Sequence, residues 1–98
     1  MSRGVAGPFR SERFVADQNI TTKRAWLGNY TIVNAGATAI TVTFYDNTDG
    51  GTSNPIDAAI VPLGASAAYY PNADTLNGLT IRSSSWTSVQ AFVRWTPA

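Results

Sequence analysis

From residue 26 onward, the apolar residues of this chain fall at every second position, in short runs that end in turn residues. In one run Ile40, Val42 and Phe44 are separated by single threonines, and the run 89–95 alternates in the same way. Such alternation places one set of side chains on one face of a β-strand, and the Val, Ile, Thr and aromatic content suits a half-buried sheet. No stretch of useful length has the period of an amphipathic helix.

The spacing of these runs predicts the class of fold. They begin near residues 26, 39, 57, 65, 79 and 88, and the gaps between them are rich in Gly, Asn, Asp and Ser. Gly and Asn supply the positive φ that tight turns need, while Asp and Ser side chains bond to nearby backbone. Runs at this spacing in 98 residues predict one all-β domain, either a sandwich or a small barrel.

Composition excludes several kinds of chemistry. The chain has no histidine and no cysteine, which excludes disulfides, thiolate nucleophiles, imidazole catalysis and His/Cys zinc sites. With 44% hydrophobic and 13% charged residues, it is too apolar for a disordered tail. The net charge of +1 argues against specific nucleic-acid binding. We find no signal-peptide pattern and no membrane-spanning stretch, and we therefore expect a soluble protein without a membrane partner.

The first 24 residues differ in charge from the remainder. Residues 1–24 hold five basic and two acidic residues, a net charge of +3, whereas residues 25–98 hold two basic and four acidic residues, a net charge of −2. The first segment also shows little periodicity. We therefore predict an extended N-terminal arm, residues 1–24, ahead of a β domain at 25–98. The arm residues expected to contact a partner are Arg3, Phe9, Arg10, Arg13 and Phe14, because arginine and phenylalanine suit protein contacts.

The acidic residues do not form a recognisable active site. Asp46, Asp49 and Asp57 suggest a calcium loop, but counting from Asp46, position three is Thr48 and position five is Gly50, where an EF-hand needs acidic or amide ligands. A turn rich in Asp, Asn and Gly is the simpler interpretation. The serines at 83–85 have no histidine base. We expect no enzymatic activity, no metal and no cofactor.

The aromatic residues are candidates for a binding surface. Tyr69 and Tyr70 are adjacent, so in a strand they point to opposite faces and only one can enter the core. Trp86 lies in a serine-rich turn, where we expect exposure. Trp86 and Tyr70 are therefore candidate contact residues. They could stack on sugars, although core and oligomer contacts are the simpler interpretation for the aromatic residues as a group.

A shared sequence style is visible in six stretches of the chain: 30–36, 39–46, 50–52, 60–66, 77–81 and 89–95. These stretches resemble small β-sandwich virion proteins of tailed bacteriophages, of the head decoration or cement type. The resemblance covers roughly residues 29–96.

This resemblance implies an antiparallel β-sandwich, of the jelly-roll or immunoglobulin-like kind, with about six to eight short strands after the arm. It also implies a non-enzymatic capsid decoration protein on the virion exterior, made in the host cytoplasm. Such a protein forms a homo-oligomer, with a trimer favoured, and its arm bridges subunits of the major capsid protein or another virion protein. The alternative is a carbohydrate- or receptor-binding module, or an adaptor, on a phage tail or fibre.

Overall fold

The computed structural model describes residues 9–98, and these residues form nine β-strands and no helix. Accordingly, no helix in this range could span a membrane. The strands are β1 (Arg10–Phe14), β2 (Gln18–Thr21), β3 (Ala25–Asn34), β4 (Ile40–Tyr45), β5 (Pro55–Val61), β6 (Ser66–Tyr69), β7 (Ala73–Asp74), β8 (Leu79–Ser83) and β9 (Val89–Pro97).

The strands form two antiparallel sheets. The first has the order β1-β9-β3-β6, with the short strand β7 also paired to β3, and the second has the order β2-β8-β4-β5. Inward-facing side chains of both sheets form one hydrophobic core. The predicted all-β antiparallel sandwich is confirmed, with nine strands in the described range where six to eight were expected.

Alternation along the strands fills the core. In β4, Ile40, Val42 and Phe44 are buried, while the residues between them are exposed or half-buried. The ring of Tyr30, from β3, lies between the sheets with its centroid 4.5 Å from that of Phe44. Tilted aromatic pairs at this separation add to the stability gained from buried area.

A β-bulge at Gly28 changes the alternation of β3. The pairing of β3 with β9 shifts between Leu27 and Asn29, so that Leu27 and Tyr30 are both buried although they are three residues apart. A Cβ atom at Gly28 would lie 2.8 Å from a ring carbon of Phe9 and 3.2 Å from the carbonyl oxygen of Arg94. Glycine therefore permits the close approach of Phe9 to β3.

The described part of the predicted arm belongs to the sandwich. β1 pairs with β9 along its whole length, β2 pairs with β8, and Phe14 is only 4% exposed in the core. The boundary predicted between residues 24 and 25 therefore does not separate an arm from a domain within residues 9–98. The prediction was wrong there because β1 and β2 show no alternation of buried and exposed residues: only Phe14 is buried in β1, and no residue of β2 is buried.

Candidate functional site

The outer surface of the first sheet combines arginine and phenylalanine side chains. The register places Ser11, Arg94 and Asn29 side by side across β1, β9 and β3. The next outward row holds Arg13, Phe92 and Thr31. A shallow depression of about 280 Å³ lies among these residues. We call this surface the Arg/Phe face, defined by Ser11, Arg13, Asn29, Thr31, Phe92 and Arg94.

The two arginines of the Arg/Phe face have no carboxylate partner among residues 9–98. Arg13 Nη1 donates a hydrogen bond to Gln90 Oε1 at 3.3 Å. The Arg94 guanidinium lies over the ring of Phe9, 5.4 Å from the ring centroid. The corresponding distance from the Arg10 guanidinium to the centroid of the Trp95 ring is 5.1 Å. Phe92, between the two arginines, is 43% exposed. The face therefore presents positive charge beside apolar area.

The predicted contact residues are divided between the two sides of β1. Phe9 and Arg13 contribute to the outer surface, whereas Phe14 is in the core. Arg10 is on the inner side, where its guanidinium lies over the ring of Trp95. Arg3 lies outside the described residues. The predicted set is therefore not one contact surface.

Arg94 and Phe92 were not among the contact residues predicted from the sequence. Both are outward-facing in β9, between the buried residues Val93 and Trp95. The alternation of β9 contained this signal, because charged and exposed residues fall on one face and core residues on the other. What the alternation could not show is that β1 brings Arg13 to the side of Phe92.

Trp86 stabilises the sandwich. It is half-buried against the core, and its indole Nε1 donates a hydrogen bond to Asp17 Oδ1 at 2.8 Å. The same carboxylate oxygen accepts a hydrogen bond from the backbone N–H of Ser83 at 2.9 Å. Trp86 therefore connects the chain before β2 to the turn after β8, and its side chain is less free than we expected.

Tyr69 and Tyr70 have opposite environments, as adjacent residues of an extended chain should. Tyr69 stacks on Tyr30 with ring centroids 5.3 Å apart. Tyr70 follows β6 and is 70% exposed. Tyr70 is thus available for contact, but it follows β6, a strand that contributes no residue to the Arg/Phe face.

The carboxylates of the suggested calcium loop serve separate structural roles. Asp46 accepts hydrogen bonds from the backbone N–H groups of Leu76, Asn77 and Gly78 at 2.9, 2.8 and 3.1 Å. Asp49 accepts from the N–H of Gly51, and Asp57 accepts from the Tyr30 hydroxyl at 2.6 Å. Within residues 9–98, no three His, Cys, Asp or Glu side chains form a group that could hold a metal ion.

These hydrogen bonds shift two pKa values. Burial alone would raise the pKa of Asp46, but the backbone donors at Leu76, Asn77 and Gly78 outweigh it and lower that pKa below its usual value. Burial, followed by the hydrogen bond to Asp57, raises the pKa of Tyr30 far above that of a free tyrosine. Both groups therefore keep a fixed charge state at neutral pH, which suits a structural role.

Comparisons with known proteins add little to this description. No protein-family model and no curated protein matches the chain. A solved chain of the Bacillus endospore appendages, described as a novel family of disulfide-linked pili, is 17% identical and has a TM-score of 0.42. The match covers 100% of this chain and 98% of that chain. A likeness at this level says nothing about function.

Proposed function

We propose that this protein is a non-enzymatic structural protein of a tailed-phage virion, which decorates the capsid exterior and binds the shell through its Arg/Phe face. The observation that carries the proposal is the pair of arginines on this face, which flank the exposed Phe92 and have no carboxylate partner in residues 9–98. Arginine and aromatic side chains are enriched where protein interfaces gain most of their binding energy.

The charge of this face calls for a partner outside the chain. Other carboxylates of the described chain already accept hydrogen bonds from their own protein. These are Glu12, Asp17, Asp46, Asp49 and Asp57. An acidic patch on a shell subunit would supply the missing counter-charges, and a neighbouring apolar patch would cover Phe92. Guanidinium groups make planar, two-pronged contacts with carboxylates, which would also fix the orientation of the bound protein.

The site of attachment in this proposal differs from the one the sequence suggested. A segment consisting of residues 1–20 cannot be removed as an independent arm, because it includes β1, most of β2 and the buried Phe14. Its deletion would test folding and attachment together. Single substitutions on the Arg/Phe face separate the two.

Binding to particles tests the proposal directly. The gene is deleted from the phage genome that carries it, and purified protein is added back to the deficient particles. We expect Arg13→Glu and Arg94→Glu each to reduce co-sedimentation with the particles at least tenfold, a loss of about 1.4 kcal/mol. Arg24→Glu, the same charge change in the exposed turn before β3, should bind normally. Equal binding by all variants would contradict the proposed attachment.

Immunogold labelling of wild-type particles separates the head from the tail. Label on the capsid exterior supports decoration, and label on the tail or fibre supports the alternative of an adaptor or receptor-binding module. Absence of the protein from purified particles would refute a virion role altogether.

The proposal includes self-association, with a trimer as the favoured state. Large exposed apolar side chains at Ile60, Leu63 and Tyr70, each at least 60% exposed, provide area for contacts between copies. Native mass spectrometry of the purified protein measures the state. We expect a trimer that Ile60→Ser weakens, and a monomer at all concentrations would contradict this part of the proposal.

A further inference from the structure

The outer surface of the second sheet has a different chemistry from the Arg/Phe face. Thr41, Thr43 and Tyr45 alternate along β4, and Arg82 lies opposite Thr43 on β8. With Ser84 they surround a shallow depression of about 270 Å³. We call this surface the hydroxyl face, defined by Thr41, Thr43, Tyr45, Arg82 and Ser84.

The charged group of the hydroxyl face is held in place by the protein. Arg82 Nη1 donates a hydrogen bond to the carbonyl oxygen of Gly50 at 2.9 Å, and Nη2 lies 3.6 Å from Asp17 Oδ2. The side chain is still 39% exposed. A guanidinium has five N–H donors, so several remain for a ligand in a fixed orientation.

The edge of the hydroxyl face is also fixed. Ser84 donates its backbone N–H to the carbonyl oxygen of Thr41 at 3.0 Å, and its side-chain oxygen accepts the N–H of Thr41 at 3.0 Å. In the range 9–98, the hydroxyl groups of Thr41, Thr43 and Tyr45 form no hydrogen bond with the protein. The face thus offers a row of unused hydroxyls at a regular two-residue spacing on one strand.

We propose that the hydroxyl face binds an oligosaccharide. A sugar ring has an apolar face that packs on an aromatic ring, here Tyr45, and a rim of hydroxyls that both donate and accept hydrogen bonds. Threonine hydroxyls can do the same, and the Arg82 guanidinium adds directional donors. The open, shallow shape suits an extended chain of sugars better than a single enclosed ring.

Other ligand classes fit this surface less well. A nucleic acid needs several phosphate contacts, and the face has a single cation, Arg82, which also contacts Asp17. A protein partner generally requires a large apolar anchor. The exposed Ile60 lies beside the face, opposite Thr41 on β5, but four of the five residues that define the face carry hydroxyl groups. This inference is independent of the proposed attachment through the Arg/Phe face, because it concerns the opposite sheet and a different ligand.

A glycan array probed with the purified protein tests the proposal, and nuclear magnetic resonance titration with the strongest oligosaccharide measures its affinity. We expect at least one oligosaccharide to bind, and Tyr45→Ala to weaken it about tenfold or more, the factor that corresponds to about 1.4 kcal/mol. Thr43→Val removes a hydroxyl with little change in volume and should weaken binding several-fold. Thr22→Val is the matched control for Thr43→Val, since it removes an exposed threonine hydroxyl outside this face, and should leave affinity unchanged.

The outcomes are decisive for this site. If Tyr45→Ala does not fold, the near-isosteric Thr43→Val still reports on the face. The proposal is overturned if no oligosaccharide binds, or if binding is insensitive to both Tyr45→Ala and Thr43→Val. Binding that is lost in Thr22→Val instead would assign the sugar to another surface and also overturn it. None of these results depends on whether particles bind the Arg/Phe face.

Discussion

Replacing Phe14 with alanine tests whether the N-terminal strand is part of the folded core. Phe14 is 4% exposed and pairs with Ala91 of β9. Its side chain lies in the hydrophobic core between the two sheets. Truncating a buried phenylalanine costs about 3–5 kcal/mol when the surrounding core cannot collapse into the cavity. Because β1 is an edge strand that can relax, we expect the lower end, about 3 kcal/mol. A domain of this size has a free energy of unfolding of only about 5–15 kcal/mol, so a loss of about 3 kcal/mol removes a large fraction of its stability.

Urea denaturation followed by circular dichroism measures this loss. With an m value of about 1–3 kcal/mol per molar, the midpoint of Phe14→Ala should fall by roughly 1–3 M. Arg13→Ala is the matched control, because Arg13 is the adjacent residue and is exposed on the outer surface. It should change the free energy of unfolding by less than about 0.5 kcal/mol. A loss below about 1 kcal/mol for Phe14→Ala would refute the placement of β1 in the core.

Three further substitutions test buried contacts. Gly78→Ala would place a Cβ atom 2.3 Å from the backbone oxygen of Asn47, and should lower the free energy of unfolding by about 3 kcal/mol or more in urea melts. The pKa of Asp46 is lowered in the folded protein. Its contribution to the free energy of unfolding is therefore fully present above the pKa of about 3.9 in the unfolded chain, and is lost as the pH falls through the pKa in the folded protein. Asp46→Asn should therefore flatten the acid side of a plot of stability against pH. Tyr30→Phe leaves the Asp57 carboxylate without its donor and should cost about 1–3 kcal/mol. Since the pKa of Tyr30 is raised, its stabilising effect should be present below about pH 10 and decrease above it, as alkaline denaturation would show.

The sequence predicted six strands, including the edge strands β5 and β6, and missed β1, β2 and β7. For β1 the reason is physical. β4 and β9 are covered on both edges, and their inward positions are apolar, so alternation is visible. In β1 the inward positions before Phe14 are Arg10 and Glu12. These are accommodated because the guanidinium lies over the Trp95 ring and the carboxylate accepts the Trp95 Nε1–H at 2.7 Å. Because contacts with Trp95 accommodate these two charged side chains at inward positions, β1 lacks the hydrophobic alternation that would have indicated a strand.

The candidate surfaces were only partly predictable for a related reason. Alternation assigns Phe92 and Arg94 to one side of β9, and Thr41 and Thr43 to one side of β4. It does not determine which strand lies next to which. The Arg/Phe face depends on β1 joining β9, which are separated by most of the chain, and the hydroxyl face depends on the pairing of β4 with β8. Neighbours of this kind are set by the packing of the whole domain.

The position of β9 between β1 and β3 also has a consequence for biosynthesis. β1 pairs only with β9 among the described strands, and β9 is the last of the nine. During translation, the nascent chain therefore exposes β1 and one edge of β3 until residues 89–97 have left the ribosome. Among the described strands, the first to be synthesised must therefore wait for the last before it can pair.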